Sequence, residues 1–217
     1  MALTKSSETA TRILKAAYRR LATDGYTRLN MRDVAAEAGV NHALIHYYFG
    51  SKDQLVIAVL DEANRRLLER QTQMYTTPGD FAAKWAHARA FYEEDLASGF
   101  VRVHMELWAA SLSNAALREQ FVPHFKAWHR VIEDAVRDAL AHYQLDLPVS
   151  PKALATWIVD FWVGMEFETL LGIPESQAHH QEALNAMQRL LEHFDRQTSS
   201  QPVLSTTDRR SSHVEAE

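Results

Sequence analysis

The residues best suited to chemistry cluster between positions 30 and 49, NMRDVAAEAGVNHALIHYYF. Two short helical stretches meet there at Gly39, in a tight turn that calls for a residue tolerant of positive φ. Ala35 and Ala38 are small enough to let the two helices approach closely. Val34, Val40, Ile45 and Phe49 can fill a shared core with Leu21 and Leu29. This is the grammar of a helix-turn-helix, whose second helix enters the DNA major groove. A helical corner with no part in DNA binding has the same spacing. His42 and His46 stand one helical turn apart and could place two imidazoles on one metal, but no carboxylate in the pattern completes such a site. His124, His129, His179 and His180 do no better. The chain has no cysteine, which removes thiol nucleophiles, iron–sulfur clusters and disulfides. It also lacks a G-x-S-x-G turn and a phosphate-cradling glycine loop. Neither enzymatic activity, a metal nor a cofactor is expected.

The elements that must hold these residues are helical. Apolar residues recur at helical spacing over 7–24, and Gly25 is placed to stop that helix. Asn30, Asn41 and Ser51 are placed to cap helices over about 31–38, 42–48 and 51–75. Asp80 is placed to cap a helix over 80–97 after the Thr77-Pro78-Gly79 turn. Further helices are expected over 100–112, 115–143, 151–172 and 176–196, with Pro123 kinking the first residues of its helix or delaying its start. No run alternates with period two. The fold class is therefore all-α, about nine helices: a three-helix N-terminal unit over 1–51, a helical body over 52–197, and a disordered polar tail over 198–217. At 217 residues, 47% hydrophobic and 24% charged, the balance is that of an ordinary globular protein. No stretch is apolar enough to span a membrane, and the N-terminus has no secretory core, so a soluble cytoplasmic protein is expected. The net charge is −5. Yet residues 1–54 carry eight Lys/Arg against five acids, a net +3, and the remainder carries −8. A basic head on an acidic body suits an anionic partner for the head alone.

With Gly25-Tyr26, Asn30-Met31-Arg32-Asp33-Val34-Ala35, Ala38-Gly39-Val40, Ile45-His46-Tyr47-Tyr48-Phe49 and Gly50-Ser51-Lys52-Asp53-Gln54-Leu55, residues 8–55 resemble the DNA-binding domain of TetR-family transcriptional regulators. The rest of the chain resembles that family by architecture alone, a helical ligand-binding and dimerisation body. Asn30 stands where the family more often has threonine or serine, and it still caps. His46 stands where the family's tyrosine usually touches a phosphate, which a neutral imidazole serves with one hydrogen bond and a protonated one serves better. On an N-terminal approach His42, Ala43 and Leu44 face base edges, where Ala43 and Leu44 suit a thymine methyl and His42 a purine acceptor. Tyr47 and Tyr48 point hydroxyls at the backbone, or pack in the core. Lys52, Thr27, Asn30 and Asn41 sit at helix starts where ammonium or free N–H groups can share a phosphate. Arg32 reaches a base, a phosphate or water, and Lys5 trails from the N-terminus.

In the body, residues 153–172 are apolar on nearly every face, so both sides need burial. One side is expected on the core and the other on a second copy of the chain, with Trp157, Trp162 and Leu170 meeting Met187, Leu190, Leu191 and Phe194 of the last helix. A homodimer would set two heads about 34 Å apart, or a multiple of it, on a palindrome. The middle helices carry more bulky rings than a small bundle needs, and the resemblance implies an inducer pocket among them. Trp85, Tyr92, His104, Trp108, Phe125, Trp128, Phe161 and Met165 are its candidate lining. Mostly apolar walls suit a hydrophobic or amphipathic molecule, and Glu166 or Glu168 could balance a cationic one or form an ion pair across the dimer. The reading is a dimeric regulator of a double-stranded DNA operator, most simply a repressor released by a small molecule. The alternatives are control by a protein partner, or a ligand-binding protein whose head no longer binds DNA.

Overall fold

The computed structural model describes residues 2–199, with side chains from Glu8 to Thr198. Ten helices follow in order: α1 Ala2–Arg28, α2 Met31–Ala38, α3 His42–Phe49, α4 Lys52–Thr76, α5 Phe81–Ala97, α6 Phe100–Ser113, α7 Ala115–His142, α8 Pro151–Leu170, α9 Glu175–Ala178 and α10 His180–Ser199. Among the described residues there is no strand. The tail expected over 198–217 lies almost wholly outside the described residues, as does the Lys5 side chain.

Capping chemistry explains most of the boundaries. The side chains of Asn30, Asn41, Ser51, Asn114 and Ser150 each accept a backbone N–H in the first turn of the helix that follows. Asp80 does not behave this way. Its side chain makes no cap, and the Ala82 N–H is instead taken by Asp195 of α10, which also accepts the Tyr143 hydroxyl at 2.7 Å. Helix α7 runs through Pro123 rather than starting after it. The segment expected as one helix over 176–196 is split by His179, whose φ of 54° breaks the turn between α9 and α10.

Two apolar cores organise the packing. The first joins Ile13, Ala17 and Leu21 of α1 to Val34, Ala35 and Ala38 of α2 and Ile45 of α3. It takes Leu55, Val56, Val59 and Leu60 from the start of α4. It does not stop at the head, because Val103 and Leu107 of α6 and Leu117 and Phe121 of α7 belong to the same cluster. Each fully buried leucine or valine there contributes about 1.5–3 kcal/mol relative to exposure. The second core lies farther along the body and gathers Trp85, Tyr92, Val101, Trp128, Ile132, Val159, Trp162, Met165 and Leu184. Helix α4 serves both, since Leu68 and Tyr75 pack on the second core.

Candidate functional site

The turn of the head is built as its glycine requires. Gly39 sits at φ 63°, ψ 42°, and Val40 N–H and Gly39 N–H return to the carbonyls of Ala35 and Ala36, closing α2. Arg12 of α1 donates to the carbonyls of Ala38 and Gly39, placing a cation on the negative end of α2. The other end of α1 is broken at Gly25, with φ 76° and ψ 172°. There the Glu106 carboxylate of α6 accepts the Tyr26 N–H at 3.1 Å. The Tyr26 hydroxyl donates to Asp53 of α4 at 2.8 Å, and Asn114, at the α6–α7 junction, donates to the other Asp53 oxygen at 3.0 Å. The head is thereby fastened to α4, α6 and α7 by side chains from each.

Helix α3 carries an exposed face beyond this scaffold. Ile45 is its buried anchor. Ala43, Leu44 and His46 are exposed, and Tyr47 is 79% exposed, so this face stands clear of the scaffold. His42 is half-buried with its ring edge-on to His46 at 4.7 Å. Tyr48 leans on the head core and meets Tyr47 edge-on, which is the packing alternative left open for it. Thr27 and Arg32 are exposed beside this face. Asn30 and Asn41 spend their side-chain oxygens on the Arg32 and Ala43 N–H groups, which leaves their amide N–H groups for a phosphate.

Two expectations for the head change in detail. His46 Nδ1 lies 2.7 Å from the Gly50 carbonyl, so it holds the proton of the neutral ring and Nε2 is left as an acceptor. A neutral His46 therefore has no donor for a phosphate, and only the protonated ring does. Lys52 turns back over the head, with Nζ 4.6 Å above the Tyr26 ring and 3.4 Å from the Thr27 carbonyl. Burial lowers its pKa against a smaller opposing effect of Asp53. The basic excess is also partly spent internally: Arg19 pairs with Glu37, and Arg20 with Asp24 and Asp33.

In the body, five helices line a cavity of about 40 Å³. Each gives it a pair of residues one turn apart: Gln71 and Tyr75 of α4, Phe91 and Asp95 of α5 with Ala88 and Tyr92, Phe100 and His104 of α6, Trp128 and Ile132 of α7, Trp162 and Glu166 of α8. Of the expected lining, Tyr92, His104 and Trp128 are here. Trp85 and Met165 are buried beside it in the second core. Trp108 and Phe125 pack against each other and the head core, ring centres 5.3 Å apart. Phe161 faces outward, into a different groove. Conversely Trp162, expected on a partner face, is only 8% exposed and forms the cavity wall. Tyr75 and Gln71 escaped the sequence reading, although Leu67, Gln71 and Tyr75 form an i, i+4, i+8 stripe.

The cavity is polar in a selective way. The Tyr92 hydroxyl is held by Thr169 at 2.9 Å, and the Trp128 indole N–H donates to Gln71 at 2.8 Å. His104 is stacked between Phe100 and Phe121, and burial, helped by His124, pushes its pKa down to about 4, so it is neutral. Asp95 is bridged to Arg70, whose guanidinium lies 4.6 Å over the Phe91 ring. Burial, and then Asp95, push the Glu166 carboxyl up to about 8. Glu168 is taken by His180 of the same chain at 2.9 Å.

Two further hollows are open to solvent. One, of about 500 Å³, lies between α1 and α4 and is lined by Lys15, Tyr18, Arg19, Glu62 and Arg66 among others. The other, about 380 Å³, is an apolar groove bordered by α7, α8 and α10 and lined by Trp157, Phe161, Met187, Leu190, Leu191 and Phe194. Trp157, Leu170 and Leu190 are 61%, 41% and 47% exposed. Among the described residues no group of three or more His, Asp or Glu could hold a metal, and no helix is long and apolar enough to cross a membrane.

Comparison with known proteins adds an independent view of this arrangement. The sequence profile of bacterial regulatory proteins, tetR family, matches residues 13–59. An uncharacterised HTH-type transcriptional regulator encoded in the dhlA 5′ region of Xanthobacter autotrophicus is 30% identical over 182 residues, 79% of this chain and 84% of that one. A proposed transcriptional regulator from Saccharomonospora viridis, crystallised with choline, superposes with a TM-score of 0.70 at 23% identity, covering 88% of this chain and 96% of that one. The transcriptional regulator FadR from Bacillus subtilis, crystallised with stearoyl-CoA, superposes with a TM-score of 0.68 at 18% identity, covering 83% and 96%.

Proposed function

This chain belongs to the TetR family of transcriptional regulators, and we propose from that premise that it is a ligand-responsive repressor, dimeric on a palindromic operator. In this reading the unit over 1–51 reads DNA and the body over 52–197 senses a small molecule and pairs with a second copy. The observation that carries it is the course of α4. Its first turns supply Leu55, Val56, Val59 and Leu60 to the head core, and Leu67, Gln71 and Tyr75 farther along line the cavity. A molecule that widens the cavity must press on the rod that supports the head. Ligand and operator then favour different positions of one two-state element and weaken each other by the same factor.

The DNA surface of this reading is α3. His42, Ala43 and Leu44 address base edges. Tyr47, Thr27, Asn30, Asn41, Lys52 and protonated His46 address phosphates, Arg32 either, and Tyr48 supports them from the core side. The small molecules held by two structures of the same fold, choline and stearoyl-CoA, support a body that accepts a ligand. The exposed Trp157, Leu170 and Leu190 beside the α8–α10 groove suit an isologous contact with a second copy. A regulator of this kind works in the cytoplasm.

The test is selection of bound duplexes from a random pool at fixed salt, followed by titration. A palindromic winner with steep salt dependence is expected. No enrichment over non-specific binding would reject the reading in favour of a ligand-binding protein with a silent head. A palindrome that no small molecule releases would leave control to a protein partner.

A further inference from the structure

The cavity is unusual in what its polar groups leave over. The hydroxyl of Tyr92 and the N–H of Trp128 are engaged by Thr169 and Gln71, so these rings offer the space their π surfaces rather than hydrogen bonds. Arg70 is committed to Asp95 and to the face of Phe91, and His104 stands stacked between rings. Among the described residues no unpaired positive charge therefore lines the cavity. Glu166 is the reverse case. It is half-buried on the cavity wall, burial pushes its carboxyl up to about 8, and it has no hydrogen bond or ion pair among the described residues. Such a carboxyl keeps its proton near neutral pH for want of a counter-ion, and a cation beside it would draw that proton off to solvent and be held by the carboxylate.

We propose that this cavity receives an organic cation, a quaternary or tertiary ammonium on an apolar body, with Glu166 as its counter-ion. The inference rests on the reading of the body as a sensor and names the ligand class. Tyr75, Tyr92, Trp128 and Trp162 supply the aromatic walls that attract a cation through their ring quadrupoles. An anion would meet Asp95 and Glu166. A neutral molecule of the same shape would leave Glu166 unpaired. The cavity, about 40 Å³, has room for only about one to three waters. A trimethylammonium group must therefore part the walls, and α4 is one of them.

The experiment uses the full chain with choline and benzyltrimethylammonium, each against its uncharged carbon isostere, 3,3-dimethylbutan-1-ol and neopentylbenzene. Quenching of tryptophan fluorescence reports occupancy, since Trp128 and Trp162 form the wall. At least one cation should bind saturably, with its isostere weaker by about tenfold or more. Glu166→Gln should weaken the cation by about tenfold and leave the isostere unchanged. Equal binding of cation and isostere, undiminished cation affinity in Glu166→Gln, or no binding of either cation would overturn the proposal. The isostere comparison needs no variant, so it stands even if the substitution disturbs folding. Cation binding that leaves duplex affinity untouched would keep the ligand class and reject the sensor reading. Operator binding with no cation binding would do the opposite.

Discussion

Replacing Gly25 by alanine tests the joint between head and body most directly. At φ 76° and ψ 172° the position lies where only glycine is at ease. Holding another residue there costs about 1–3 kcal/mol. An alanine Cβ would also stand 2.7 Å from Oε2 and 2.8 Å from Oε1 of Glu106. That carboxylate can swing away, but only by releasing the Tyr26 N–H, a bond to a charged acceptor worth about 1.5–3 kcal/mol. Together the loss is about 2.5–6 kcal/mol, or about 5–20 °C in melting temperature for a chain of this size. Thermal unfolding of Gly25→Ala, Glu106→Ala and the double variant, followed by circular dichroism, separates the two contributions. The double variant should lose less than the sum of the singles, because the Glu106 bond can be lost only once. A Gly25→Ala protein melting within about 2 °C of the parent, or strictly additive losses, would refute the account of the joint.

Four further outcomes are expected. His46→Tyr should strengthen binding to all duplexes, because a hydroxyl supplies the outward donor that a neutral ring with its Nδ1 proton on Gly50 lacks; unchanged or weaker binding in titrations rejects the contact. Lys52→Ala should weaken all duplexes alike and lower the salt slope by about one, whereas His42→Ala should relax preference at particular bases; the reverse pattern in binding titrations would exchange their roles. Glu166, raised from 4.5 to about 8 in the fold, holds a proton that the unfolded chain has lost between those values. Its stabilising contribution is therefore present at acid pH and lost as pH rises towards 8. Calorimetry from pH 6 to 9 should show the parent losing melting temperature relative to Glu166→Gln, a comparison that isolates this group from Asp95 and His104 beside it; parallel curves would deny the shift. Trp157→Asp should shift sedimentation from dimer to monomer, weakening association by about a hundredfold or more because the contact occurs twice; an unmoved equilibrium would place the dimer face elsewhere.

The head was legible in the sequence because its determinants are local. Gly39, the alanines 35 and 38, and the caps Asn30 and Asn41 act within a few residues of themselves, so spacing suffices to place them. The cavity was legible only in composition. Its walls come from five helices, and which ring faces inward depends on how those helices rotate against one another. Trp162 and Phe161 are adjacent in sequence and point to opposite sides. The same limit hid Arg12 on the α2 carbonyls, Glu106 on Tyr26 and Asp195 on the start of α5, since each contact joins residues remote in the chain. Asp80 had the right type in the right place, and a distant aspartate took the bond.

The shared first core bears on how the protein is made. Synthesis begins at the N-terminus, so the DNA-reading helices leave the ribosome first. The cluster they pack into is completed by Val103, Leu107, Leu117 and Phe121. Until those residues have emerged, that side of the head stays open and Gly25 has no carboxylate against it. A nascent chain stopped before α6 is thus an unfinished reader, exposed to chaperones and proteases. The order of translation therefore delays a finished head core until α6 and the start of α7 have been made.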